Sequence, residues 1–254
     1  MDPHITRVGN MSLHKLLPIQ SQIRGCIAQA DKVIYWLNES DWRFKKDADI
    51  VSINLTVSGS DYTIVNSLFS DLRYEGAYLK IDGVVCKIAS IDVDTNTATL
   101  ETTEELINLG LTSGVKEVEF GSVLNGYDGM VRIYCPGFYI RSVIDGDTYT
   151  VWISPYRIDN ATYQEEILVD AYRSTILNTV PTNMGYLSTL PVNSAISVVN
   201  THDYCRGGGN RPEYDVYLET DPCRSDLGKP RTNIFRHDMR TYSRNAGSEM
   251  LNYD

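Results

Sequence analysis

The first regular pattern along the chain is a series at Leu16, Gln20, Ile23, Ile27, Ala30, Ile34 and Leu37, spaced alternately by four and three residues. That is the spacing of a heptad seam. Pro18 falls in the first turn, where a proline is tolerated, and Asn38, Ser40 and Asp41 offer caps and turns beyond the last seam position. The pattern predicts a helix over 18–37. Two roles stay open for it: an amphipathic helix packed on a β domain, or a short oligomeric stem. Isoleucine at both kinds of seam position tilts such a stem towards three strands over two. The candidate oligomerisation residues are therefore Leu16, Ile23, Ile27, Ala30, Ile34 and Leu37.

Beyond Trp42 the period changes from helical to two. Ile50-Val51-Ser52-Ile53-Asn54-Leu55-Thr56-Val57 reads as a strand that stops at Ser58-Gly59-Ser60-Asp61. Asp82-Gly83 lies between Tyr78-Leu79-Lys80-Ile81 and Val84-Val85-Cys86-Lys87-Ile88, the strongest short-range hairpin signal a sequence offers. Residues 90–94 and 97–102 flank Thr95-Asn96 as a further hairpin, so these strands read as a meander. Residues 104–111 suit one short helical stretch, and 115–120 alternates as an edge or half-exposed strand does. After a turn at 126–129 come strands at 131–135 and 138–144. Asp145-Gly146 then leads into Thr148-Tyr149-Thr150-Val151-Trp152-Ile153-Ser154 as a second Asp-Gly hairpin. From 159 onward the period fades. Asn, Thr, Ser, Pro and Gly crowd 179–191, and the tract 200–254 is polar, with Arg at 206, 211, 224, 231, 236, 240 and 244.

The expected fold class is mainly β: a short N-terminal helix, the possible coiled-coil stem, then an antiparallel β meander or sandwich, then a loop-rich C-terminal tract. The expected domains are an N-terminal docking and oligomerisation segment with the helix (1–45), a β-rich domain (46–125), a second β-rich unit (126–178) and a loop-rich extension leading to a distal domain (179–254). The chain has 254 residues, enough for one large β domain or two smaller units in series.

Composition narrows the partners. No segment approaches the run of about 18 apolar residues that a membrane span needs. A net charge of -10 opposes phosphate neutralisation and repels an anionic bilayer, so neither nucleic acid nor a membrane is expected as a partner. Seventeen Tyr against five Phe favour half-buried surfaces and interfaces. The start, Met1 to Arg7, lacks the basic and apolar regions of a secretory signal, which predicts a protein made in the cytoplasm. In that setting the Asn-x-Ser/Thr triplets at Asn10, Asn38, Asn54 and Asn160 are not expected to carry glycans. Cys26, Cys86, Cys135, Cys205 and Cys223 are scattered and odd in number, which favours reduced thiols.

No catalytic grouping has good spacing, and the expectation is a protein that is not an enzyme and holds neither cofactor nor metal. Cys205 stands near His202 and Asp203, but a nucleophile and its base normally meet through the fold. His202, Cys205 and Cys223 fall short of the four grouped ligands of structural zinc. Cys205-Arg206-Gly207-Gly208-Gly209-Asn210 lacks the Lys-Ser/Thr of a phosphate loop. Carboxylate pairs at Glu104-Glu105, Glu165-Glu166 and Asp92/Asp94 suit solvated positions.

The C-terminal half carries a resemblance. The segments concerned are Ala171-Tyr172-Arg173-Ser174-Thr175-Ile176-Leu177-Asn178-Thr179-Val180-Pro181, Met184-Gly185-Tyr186-Leu187-Ser188-Thr189-Leu190-Pro191, the run at 205–210, Leu227-Gly228-Lys229-Pro230-Arg231-Thr232 and residues 239–251. Together they resemble fibre proteins of bacteriophages infecting Bacteroidales, the crAss-like phages especially. Asp128-Gly129-Met130-Val131, Cys135-Pro136-Gly137-Phe138-Tyr139 and Trp152-Ile153-Ser154-Pro155-Tyr156 look like the strand pattern that precedes a lectin-like display domain in such fibres. The resemblance covers 128–254. It implies a head fibre or tail fibre located in the virion, a homo-oligomer with a trimer favoured over a dimer. The implied partners are capsid or tail proteins and a host-surface glycan. A collar, ring or baseplate protein, or a polysaccharide-degrading tailspike, would share the same make-up.

Overall fold

The computed structural model describes residues 19–48, 50–172, 174–199, 205–206 and 235–250. They are mainly β, in antiparallel sheets. Among them the chain divides into two units: 19–24 with 133–169, and 25–132 with the described part of 170–254. This is not the serial division at 45, 125 and 178. Residues 133–169 are an insertion into the larger unit.

The centre of the larger unit is a closed six-stranded barrel. Its strands are β3 (Ile50–Ser58), β4 (Asp61–Val65), β5 (Tyr78–Ile81), β6 (Val84–Asp92), β7 (Thr97–Leu100) and β8 (Gly114–Phe120), in the order β3-β4-β7-β6-β5-β8. Alternation puts Ile53 and Leu55, Tyr62 and Ile64, Leu79 and Ile81, Cys86 and Ile88, Ala98 and Leu100, and Val118 and Phe120 inside, with polar partners between them facing out. The strands β5 and β6 join through Asp82 (φ 48°) and Gly83 (φ 86°), both left-handed, as the Asp-Gly signal predicts. The next hairpin pairs Asp92 with Thr97, leaving a four-residue loop with Asn96 at φ 51°. The short helix α1 (Glu104–Asn108) is capped by Thr103, whose hydroxyl accepts from the Leu106 N–H, and it seats Leu106 in the barrel core.

Of the two readings of 115–120 the half-exposed strand holds, with Val118 and Phe120 buried and Val115 and Glu117 exposed. The segment 115–120 is not an edge, because β8 pairs with β3 from Ile50 to Leu55 and with β5 from Leu79 to Ile81, and so closes the barrel. Gly121 follows it at a point where a Cβ would lie 2.5 Å from the carbonyl oxygens of both Arg43 and Tyr78.

The helix expected over 18–37 is corrected from residue 19 onward. A 3-10 turn (Gln20–Gln22) leads into β1 (Arg24–Gln29) and β2 (Lys32–Trp36), an antiparallel hairpin pairing Cys26 with Trp36, Ile27 with Tyr35 and Gln29 with Lys32. The reason lies in burial. Cys26, Ile27 and Ala28 are all fully buried, so β1 is packed on both faces and has no single seam. A short run apolar on every side is equally compatible with strand and helix, and here the β-branched and aromatic Val33, Ile34, Tyr35 and Trp36 settle it as a strand. The strands β1, β2, β9 (Met130–Cys135) and β13 (Ile167–Asp170) are hydrogen-bonded in the order β13-β9-β1-β2.

The tract expected to be a loop-rich extension contributes core instead. β14 (Thr175–Leu177), β15 (Ala195–Ile196) and β16 (Cys205–Arg206) form a small sheet in the order β15-β14-β16. Met130, Leu177, Met184, Leu187, Leu190, Ile196, Val198 and Ala246 pack as one buried cluster. Ala246 follows α2 (Arg236–Asn245), a helix within the tract expected to be loop-rich. The candidate chemistry at His202, Asp203 and Cys223 lies outside the described residues.

Candidate functional site: a β-ribbon without a core

The smaller unit is built on β10 (Phe138–Asp145), β11 (Thr148–Ser154) and β12 (Thr162–Gln164), in the order β11-β10-β12. β10 and β11 pair in register from Tyr139–Ser154 to Asp145–Thr148, closed by a two-residue loop, Gly146-Asp147. Gly146 takes φ 57°, so the glycine occupies the first loop position and the turn sits one residue later than Asp-Gly suggests. β12 pairs only with Phe138, Tyr139 and Ile140, leaving the outer half of the hairpin two-stranded.

Across 133–169 only Pro136 is buried. Yet Ile144, Tyr149, Val151, Trp152, Ile153, Tyr156, Tyr163 and Ile167 are all large, apolar or aromatic, and exposed. The register sorts them onto two faces. One carries Ile140 with Ile153, Ser142 with Val151, and Ile144 with Tyr149, whose hydroxyl donates to the Ser142 Oγ at 3.1 Å. The other carries Arg141 with Trp152, the guanidinium 5.4 Å from the ring centroid, and Tyr139 tilted against Tyr163 at 5.0 Å. Ile144, Tyr149, Val151 and Ile153 together expose on the order of 500 Å² of largely apolar surface, at the upper end of the largest patch a typical monomer carries. A two-stranded ribbon is at best marginally stable in water by itself. These sequences form strands because they alternate β-branched and aromatic residues, and among the described residues their side chains stay largely exposed.

The six residues expected to form an oligomerisation seam are not brought together. Leu16 lies outside the described residues. Ile23 (43% exposed) and Ile34 (42% exposed) face solvent, Ala30 takes the left-handed turn position at φ 48°, and Ile27 and Leu37 are buried in one internal cluster with Val131. Ile27, Ala30 and Ile34 thus belong to an intramolecular hairpin, and no heptad seam runs through the described positions.

The polar groups of the larger unit hold it together. The Asp128 carboxylate accepts from the Arg73 Nε at 2.8 Å and Nη2 at 2.9 Å, and from the Tyr35 hydroxyl at 3.1 Å, while the Tyr35 oxygen accepts the Val123 N–H. Burial works against the Arg73 charge, but the Asp128 carboxylate outweighs it and holds the guanidinium above its ordinary value. Burial, and after it the Asp128 charge, pushes the Tyr35 phenol well above the usual tyrosine range. The buried Arg132 donates to the Ala30 carbonyl, to the Ser248 Oγ and to the Asp170 carboxylate, joining three separated segments of the larger unit. The Asp170 carboxyl is lifted by burial despite that ion pair. Burial also pushes the Cys86 thiol up to about 11, and Cys86 and Cys135 are free thiols. Among the described residues no group of three or more His, Cys, Asp or Glu is placed to hold a metal ion. No helix among them is long and apolar enough to cross a membrane.

No protein-family model, curated protein or solved structure matches the chain.

Proposed function

We propose that this chain is a structural fibre protein of a bacteriophage virion, non-enzymatic, docking on capsid or tail and supporting host-surface attachment through oligomeric display. The observation that carries this reading is the ribbon of 138–164, whose exposed apolar faces suit a subunit built to be assembled. The resemblance of 128–254 to fibre proteins of crAss-like phages supplies the kind of assembly. The closed barrel fits a platform, since closure removes the free strand edges that would otherwise invite unspecific pairing. Attachment would then work by avidity, several identical arms converting weak contacts with a surface glycan into a tight hold through local concentration. Gradient-purified virions and adsorption assays test the proposal. It requires the chain among the virion proteins at a stoichiometry above one copy, and antibodies against it that slow adsorption to host cells. A chain missing from washed virions overturns it.

A further inference from the structure

We propose that β11 is a self-pairing edge: it joins, antiparallel and with Val151 facing Val151, to β11 of a second copy of this chain, making one continuous sheet across a two-fold axis. This deepens the fibre reading by naming how two copies meet, and it rests on that reading only for its purpose.

Among the described residues β11 is hydrogen-bonded on one side, to β10. Exposed edges in natural proteins are blunted by lysine, proline, bulges or very short length. β11 has none of these. It is seven residues, Thr-Tyr-Thr-Val-Trp-Ile-Ser, uncharged in a chain of net charge -10, and its pairing to β10 runs without a register shift.

The register follows from the hairpin. A two-residue loop is closed by a hydrogen-bonded pair, here Asp145 with Thr148, and such pairs then alternate along the ladder. Thr148, Thr150, Trp152 and Ser154 therefore turn their N–H and C=O groups towards β10, while Tyr149, Val151 and Ile153 turn theirs outward. A two-fold axis at Val151 is the arrangement in which all three outward-facing residues find outward-facing partners: Val151 with Val151, and Tyr149 with Ile153 in both directions. An axis at Thr150 or at Trp152 would leave one of the three without such a partner, and an axis at Tyr149 or at Ile153 would leave two.

Side chains agree with this register. Tyr149, Val151 and Ile153 of both copies would form one stripe, continuous with the exposed Ile144 beside Tyr149. On the opposite face Trp152 would stand against Thr150. At this register Asp147 of the exposed hairpin tip would lie beside Pro155 of the other copy, two residues from the exposed Arg157. A carboxylate thus comes near a guanidinium at each end of the contact. Each copy adds the outward backbone groups of β11 and the facing sides of Tyr149, Val151 and Ile153 to the contact, as cross-strand neighbours in a sheet do. Such a contact is isologous, so it closes on two copies and does not propagate.

The test uses the full chain and the two charge variants Val151→Lys and Val151→Glu. At this register each variant opposes a like charge across the axis. Sedimentation should give wild type at twice 28.6 kDa, each variant alone at 28.6 kDa, and their equimolar mixture again at twice that mass. Val151→Cys should become a disulfide-linked dimer under mild oxidation, because directly opposed residues lie within bridging distance. Far-ultraviolet circular dichroism of each variant matching wild type shows that the chain remains folded. A wild type that stays monomeric at micromolar concentration, charge variants that associate as wild type does, or a Val151→Cys chain that does not crosslink would each overturn the pairing. The fibre reading is judged separately: a crosslinked dimer absent from virions keeps the pairing and overturns the fibre, and a larger assembly insensitive to Val151 does the reverse.

Discussion

Replacing Asp128 by alanine removes the group on which Arg73 and Tyr35 converge, Tyr35 in turn holding the chain at Val123. Asp128 is 9% exposed, and its carboxylate takes three hydrogen bonds, two from a guanidinium. Breaking a fully buried ion pair costs about 3–5 kcal/mol, because the surviving charge is left uncompensated. Here the survivor is Arg73, whose side chain is 35% exposed and can turn part of its charge to water, so the cost falls to about 2–3 kcal/mol. Asp128→Asn keeps an acceptor and loses the charge, and should cost about half as much. Tyr35→Phe should cost about 1 kcal/mol, and combined with Asp128→Ala it should cost less than the two separately, since they share one network. Urea denaturation followed by fluorescence measures this. Trp36 and Trp42 report the larger unit, and a Trp152→Phe background silences the ribbon. With a urea slope of about 3 kcal/mol per molar, the Asp128→Ala midpoint should fall by about 0.7–1 M. A midpoint shift that corresponds to less than about 0.5 kcal/mol, the range of an ordinary surface substitution, would refute the claim that this network braces the fold.

Stability should fall as pH rises from about 9. Cys86 and Tyr35 both hold their protons in the folded chain above the pH at which the unfolded chain releases them, so unfolding sheds protons there and gains with alkalinity. Cys86→Ser should flatten the loss between pH 9 and about 11, seen as thermal midpoints across that range. Leu187→Ala should cost about 2–5 kcal/mol by calorimetry, because Leu187 is fully buried; a cost under 1 would return 184–198 to the status of an extension. Gly121→Ala should cost more than about 3 kcal/mol, or leave the chain insoluble, since a Cβ there meets two carbonyl oxygens that belong to backbone and cannot swing away.

What could be read from the sequence was whatever depended on neighbours in the chain. Asp82-Gly83 and the alternation around it determine a hairpin locally, and the barrel strands alternate because one face meets the core and the other meets water. The ribbon strands were equally legible, although nothing local reveals that both faces carry exposed apolar or aromatic side chains. The N-terminal hairpin was not legible. Gly25-Cys26-Ile27-Ala28 is buried on both faces and so has no period, and the turn at Ala30-Asp31 uses an alanine in a left-handed conformation, which no turn signal announces. The core of 184–198 was hidden because Met184, Leu187 and Leu190 sit among Gly, Asn and Pro in a 3-10 turn, whose spacing matches neither strand nor α-helix. α2 has no apolar stripe to announce it, because it buries only Ser243, with Ala246 just beyond its end. The Asp128 network joins residues 55 and 93 positions apart, and only the fold brings them together.

The central claim is that this chain is an assembled, displayed part of a virion. Gold-labelled antibody against the recombinant chain, applied to intact purified particles and viewed by electron microscopy, tests it most directly. The account predicts label in clusters on projecting fibres at the head or tail surface. Intact particles that bind no label, while the same antibody finds the chain free in the infected-cell lysate, would contradict it.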